Sequence, residues 1–210
     1  MNPDIIDHLI IRYPVLEKLK ARISEATLAI ITCFENKHKL LICGNGGSCS
    51  DSEHIAGELV KSFELTRPIE NSLKERLIKT SESRGPILAA KLQAGFPAIS
   101  LNSNTALISA ISNDIGSDAV YAQQVIALGN PGDILLAIST SGNSPNIIDV
   151  AITAKAEGML IIALTGRSGG KLRQHCDILI NVPEDGCARV QELHRPVYHT
   201  ICRLIEDHFF

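Results

Sequence analysis

Apolar residues in the first 36 positions recur at helical spacing. Ile5, Ile6, Leu9 and Ile10 make one face, and Leu16, Leu19, Ile23, Leu28, Ile30 and Ile31 continue it beyond Pro14. No glycine occurs before Gly44, and the spacing predicts helix over 3–36. Such a stripe cannot be buried by its own helix, so this segment is expected to pack on the rest of the chain, on a second subunit, or on both. The pattern then changes. Leu40, Leu41, Ile42 and Cys43 form an unbroken apolar run, as in a parallel strand covered on both faces. Further strands are predicted in FPAISLN (96–102), in ILLAI after Gly132-Asp133, in MLIIALTG and in CDILINV. Helices are predicted after GNGGS, from Thr105, in DAVYAQQVIAL and after STSGNS. The last segment, ARVQELHRPVYHTICRLIEDHFF, reads as a helix with Val190, Leu193, Val197, Ile201 and Leu204 as its buried stripe, kinked at Pro196.

Strands alternating with helices imply an α/β fold: a doubly wound, five-stranded parallel sheet over 39–210 with right-handed crossovers, preceded by added helices over 1–38. Residues 66–92 break the rhythm. They are charged and only weakly helical, and read as an insertion or flap, partly mobile; Lys61, Arg67, Lys74, Arg76, Lys79 and Arg84 around it read chiefly as a solvated basic face.

Candidate chemistry gathers at the carboxyl ends of the predicted strands, where ligands sit in such sheets. Gly44, Gly46 and Gly47 permit close approach of a ligand to the main chain, Ser48 can cap the following helix, and that helix start offers free N–H groups to an anion. His54 and Glu58, four apart, share a face of the same helix. Ser139, Thr140, Ser141 and Ser144 place four hydroxyls at a strand end and helix start, more than capping requires, in the composition of a phosphate nest. Asn113 and Asp114 fall at a helix break, where they either terminate the helix or hydrogen-bond a polyhydroxy ligand. On the last helix Gln191 and His199 stand about 80° apart around the axis, with His194 on a different arc.

Composition narrows the function classes. A net charge of −3 gives no case for nucleic acid or an acidic membrane surface, and no apolar run reaches the length of a membrane span. Six cysteines without a CxxC pair, mostly in apolar runs, point to reduced thiols in the cytoplasm.

The ordered set CGNGGS…H…E, STSGNS, LTG..GG and QE.H….H resembles the SIS (sugar isomerase) domain family, and within it the phosphoheptose isomerases. The resemblance covers nearly all of 39–210. It implies a flavodoxin-like SIS fold and a homotetramer with sites at subunit boundaries. The activity it implies is aldose–ketose isomerisation of sedoheptulose 7-phosphate to D-glycero-D-manno-heptose 7-phosphate. By the same resemblance Asn45, Gly46, Gly47, Ser48, Asn113, Asp114, Ser139, Thr140, Ser141, Ser144, Glu58 and Gln191 contact substrate. His54, Glu58, Gln191 and His199 hold zinc, and Glu58 and His199 move protons. Two departures stand out: 66–92 is longer than in compact relatives, and Ala188 occupies a place where some relatives carry aspartate. An isomerase of another phosphosugar and a non-catalytic SIS protein that binds a replication initiator are the alternatives; the presence of His199 favours catalysis.

Overall fold

The computed structural model describes residues 2–210. In chain order its elements are α1 (Pro3–Arg12), α2 (Lys20–Glu35), β1 (Leu40–Gly44), α3 (Gly47–Val60), α4 (Asn71–Thr80), α5 (Gly85–Lys91), β2 (Ala98–Ser100), α6 (Thr105–Asp114), α7 (Ala122–Leu128), β3 (Ile134–Ser139), α8 (Pro145–Ala156), β4 (Leu160–Thr165), β5 (Ile178–Asn181) and α9 (Cys187–Phe209). The strands form one sheet in the order β2-β1-β3-β4-β5, every neighbouring pair parallel, so the expected doubly wound sheet is present.

Alternation along the strands divides the core in two. Leu40 and Ile42 face a layer built from α1, α2, α3 and α9, whereas Leu41 and Cys43 face α6, α7 and α8. β1 and β3 pair with Gly44 opposite Ile138, so the turns that follow them leave the sheet side by side. One turn feeds α3 on the first face and the other feeds α8 on the second. This is the reversal of winding at which such sheets open a crevice.

The N-terminal stripe divides at Pro14. Tyr13, held extended by the proline after it (φ −131°), ends α1, and a 3₁₀ turn over Pro14–Leu19 leads into α2. The stripe is covered within the chain: Ile6, Leu9, Leu16, Leu19, Ile23 and Ile30 all join the sheet's core. Ile11, Val15 and Leu28 stay exposed. α9 runs through Pro196 as one uninterrupted helix rather than two segments.

Residues 66–92 form an ordered helical hairpin instead of a loose flap. α4 and α5 pack chiefly on each other, and α4 buries no residue. Its base is fixed. Arg67, expected on a solvated face, is fully buried with Glu206 of α9. The guanidinium bonds Glu206 Oε1 at 2.7 Å and caps the end of α3 by donating to the carbonyls of Leu59 (2.8 Å) and Glu58 (2.9 Å). Glu206 also accepts the backbone N–H groups of Phe63, Glu64 and Leu65. Burial alone would push this carboxyl up; the three N–H donors and Arg67 outweigh it and hold it below the ordinary range.

His194 points into the same core, fully buried, with neither ring nitrogen in a well-formed hydrogen bond. Burial depresses its pKa from 6.5 to about 4.

Two consequences are measurable. Glu206→Ala leaves a buried guanidinium unpaired and should cost about 3–5 kcal/mol, seen as a lower midpoint in chemical denaturation; an unchanged midpoint would show that the pair does not hold this corner together. For His194, the unfolded chain takes up a proton at the ordinary pKa of 6.5 while the folded chain resists to about 4. The folded state should therefore lose about 1.4 kcal/mol per pH unit from this group as pH falls through that window. His194→Leu should flatten that part of the stability–pH curve, and identical curves for the two proteins would count against it.

Candidate active site

The site begins where β1 ends. Gly46 adopts φ +56°, a backbone conformation that turns the chain from the strand into α3. A side chain on Gly47 would collide with the Gln191 amide, so glycine there lets α9 close over the start of α3. Two residues absent from the sequence reading fix the turn. The Asn102 amide pairs with both main-chain groups of Gly44, accepting from its N–H (3.3 Å) and donating to its carbonyl (2.9 Å). The Tyr121 hydroxyl donates to the Gly44 carbonyl and lies 3.1 Å from Asn45 Oδ1. Asn45 and Asn146 exchange amide hydrogen bonds of 2.8 and 3.0 Å, which ties this turn to the start of α8.

The second turn lies against the first. Asn45, Gly46, Gly47, Ser48, Ser139, Thr140, Ser144 and Gln191 line one cavity of about 220 Å³. Ser144 occupies the N-cap of α8, yet its hydroxyl bonds none of the helix N–H groups and lies 3.5 Å from Ser139 Oγ. That hydroxyl and the Asn146 N–H are therefore free for a ligand, whereas the N–H groups of Ile147 and Ile148 bond the Ser144 carbonyl. Ser141 is exposed beside the cavity, its oxygen accepting from Asn143 N–H at 3.1 Å. Cys187, which no motif marked, also lines the cavity, 3.6 Å from Thr140 Oγ1 and exposed. Of the other thiols Cys33, Cys43 and Cys202 are buried, and all six cysteines are free.

The acid/base candidates come together further along the pair α3 and α9, which run side by side in the same direction. His54 Nε2 lies 3.0 Å from Glu58 Oε1 and 3.4 Å from His199 Nε2. Lys61 holds the other Glu58 oxygen at 3.2 Å. His54 Nδ1 lies 3.3 Å from the Tyr198 hydroxyl, which donates to Asp51 Oδ1 at 3.2 Å. The His199 pKa is lowered, first by burial and then by the neighbouring His54. Burial pushes the Asp51 carboxyl up, opposed by Tyr198, Arg195 and His54. Burial also pushes the Tyr198 hydroxyl up to about 12.

Gln191 stands apart from this group. It sits at Gly47, eight residues and about 12 Å of helix rise from His199. Asn113 and Asp114 lie exposed at the end of α6, bonded to each other at 2.8 Å and to none of the other candidates. Among the described residues, no group of three or more His, Cys, Asp or Glu forms a ready cage for a metal ion. The donor types at His54, Glu58 and His199 are those zinc takes, and here they meet as a hydrogen-bonded chain. Three cavities with shared lining residues lie along this pair of helices. The hydroxyl-lined cavity shares Gly47 and Gln191 with a second of about 640 Å³, bordered by Asp51 and Ala188. The second shares Glu192 and Arg195 with a third of about 480 Å³ that reaches His199.

A hydroxyl-lined cavity at the strand ends, together with a carboxylate and two imidazoles, offers groups suited to acid–base chemistry. No helix among the described residues is long and apolar enough to cross a membrane.

The SIS domain model matches residues 11–95 and 88–166. A phosphoheptose isomerase of Helicobacter pylori is 39% identical over 194 residues, covering 92% of this chain and 88% of its own. One from Methylibium petroleiphilum is 41% identical over 193 residues, covering 90% and 84%. Among solved structures, the phosphoheptose isomerase of Francisella tularensis superposes with a TM-score of 0.77 at 34% identity, covering 93% of this chain and 91% of that one. The Neisseria gonorrhoeae enzyme gives 0.74 at 33%, covering 96% and 94%. The chain belongs to the SIS domain family, and within it to the phosphosugar isomerases of the phosphoheptose isomerase group.

Proposed function

We propose that this isomerase interconverts sedoheptulose 7-phosphate and D-glycero-D-manno-heptose 7-phosphate, in the cytoplasm, as a homotetramer whose sites lie at subunit boundaries. The observation that carries the reaction type is the meeting of Glu58 and His199, from two different helices, through His54. The identity and coverage of the phosphoheptose isomerases support the choice of sugar.

In this reading the phosphate sits on the Asn146 N–H at the start of α8 and the hydroxyls of Ser139, Thr140 and Ser144, with Ser141 closing one side. Asn45, Ser48, the main chain of Gly46 and Gly47, and the Gln191 amide bind the polyol. Glu58, oriented by Lys61 and His54, moves the proton between C1 and C2. His199, kept neutral by burial, accepts a proton from the substrate hydroxyl and returns it to the carbonyl oxygen, so the enediol is never a free, fully charged species. Zinc held by His54, Glu58 and His199 would supply an electrophile for the developing negative charge on oxygen; Gln191 belongs to the substrate side.

The length of α3 supports assembly. Glu58 lies eleven residues beyond Gly47, about 16 Å of helix rise, farther than an extended heptose phosphate spans. A sugar whose phosphate rests in one chain's cradle therefore meets Glu58 and His199 of a second copy. Asn113 and Asp114, exposed and away from their own chain's cradle, fit the same arrangement by facing a neighbour.

Glu58→Gln should lower kcat by about 10²–10⁴ with sedoheptulose 7-phosphate when assayed in samples reloaded with zinc to the content of the unaltered protein. Near-normal kcat would refute Glu58 as the base. Ser144→Ala should raise KM. Mixing and reassembling Glu58→Gln chains with Ser139→Ala, Ser144→Ala chains should restore sites that neither variant has alone; no restored activity would show that each chain works by itself.

A further inference from the structure

Hydrogen bonding does little to hold the His199 ring. Its one such contact among the described residues runs from Nε2 to His54 Nε2, at 3.4 Å. An imidazole turns broadly about its Cβ–Cγ bond, and a single long contact does not fix that turn. Packing does. The ring lies at 70° to His54 with centroids 5.0 Å apart, at 89° to Tyr198 at 4.9 Å, and at 48° to Phe63 at 5.5 Å. These are the separations of favourable aromatic pairs. His54 and Tyr198 stand on α3 and α9, whose packing already places them. Phe63 belongs to neither helix. It stands on the turn that follows α3, half-buried against the edge of the core, and borders the same cavity as His199.

That turn is closely bound. Three successive N–H groups, of Phe63, Glu64 and Leu65, converge on the Glu206 carboxylate at 2.8 to 2.9 Å, a main-chain nest around an anion. The Glu64 carboxylate accepts from Arg203 Nε at 2.7 Å. Ser62 donates its N–H to Gln93 and accepts from Arg67 N–H, both at 3.0 Å. Arg203 and Glu206 lie about one and two turns beyond His199 on α9. The helix that carries the histidine thus also carries the anchors of the ring that packs on it.

We infer that Phe63 is a positioning residue, a wall that holds the His199 ring at the angle from which its nitrogen trades a proton with the substrate. A group that moves protons must be held to within about 10–20° of its productive direction, and the turn pinned to α9 gives Phe63 that rigidity. The inference rests on the reading of His199 as the group that serves the substrate oxygens; the packing of the two rings does not.

The test compares the unaltered protein with Phe63→Leu, which keeps apolar bulk and loses the flat wall, and Phe63→Tyr, which keeps the wall. A half-buried position tolerates both, so denaturation midpoints should stay close to that of the unaltered protein. At equal metal content Phe63→Leu should lower kcat with sedoheptulose 7-phosphate by about 10–100-fold and change KM by no more than about twofold. Phe63→Tyr should keep kcat. In the same samples ¹³C relaxation of the His199 ring, its signals assigned by their loss in His199→Gln, should show a lower order parameter in Phe63→Leu alone. Unchanged kcat in Phe63→Leu while His199→Gln is inactive would overturn the inference, as would a Phe63→Tyr protein as impaired as Phe63→Leu, or a His199 ring equally ordered in all three. Full activity in His199→Gln would remove His199 from the reaction; a ring loosened in Phe63→Leu and not in Phe63→Tyr would still uphold Phe63 as its support.

Discussion

The parallel packing of α3 on α9 is the constraint on which the site depends. Each helix carries its groups in the order the other needs. Gly47 meets Gln191, Asp51 and His54 meet Tyr198 and His199, and the residues that follow α3 meet Glu206. Rotation of either helix by a residue would separate all three meetings at once, because neighbouring positions on a helix lie about 100° apart. Both ends are therefore fixed: at one by a glycine that allows close approach, at the other by a buried ion pair with its full set of donors.

Much of this was legible in the sequence. Period-two and unbroken apolar runs give parallel strands their mark, so the sheet, its winding and the two polar turns at one edge followed from pattern alone. The His54 and Glu58 pairing followed from a spacing of four, and the structure places them 3.0 Å apart. What stayed hidden was whatever depends on long-range partnership. Arg67 reads as one of several surface cations until Glu206, 139 residues away, is seen beside it. Asn102 and Tyr121 lie in unremarkable stretches, and only the fold turns them toward Gly44.

Other features have local causes. The N-terminal stripe implied cover by the rest of the chain, by a second subunit or by both, and the sheet's first face supplies most of it within the chain. α9 continues through Pro196 as one helix. Gln191 and His199, grouped by the family resemblance, lie eight residues apart on α9, one beside Gly47 and the other beside His54.

The hairpin of α4 and α5 leaves and rejoins the domain at almost one place. Ala94 N–H bonds the Arg67 carbonyl at 2.8 Å, Pro68 bridges Gln93, and the Gln93 side chain accepts from Ser62 N–H at 3.0 Å. An excursion with pinned ends is nearly free to change length, since the entropy of closing a loop grows only with the logarithm of its size. Insertions and deletions can therefore accumulate between Ile69 and Leu92 while Arg67 keeps α3 and α9 in register. The fold thus has a compartment where evolution can lengthen or shorten the chain without disturbing the chemistry a few residues upstream.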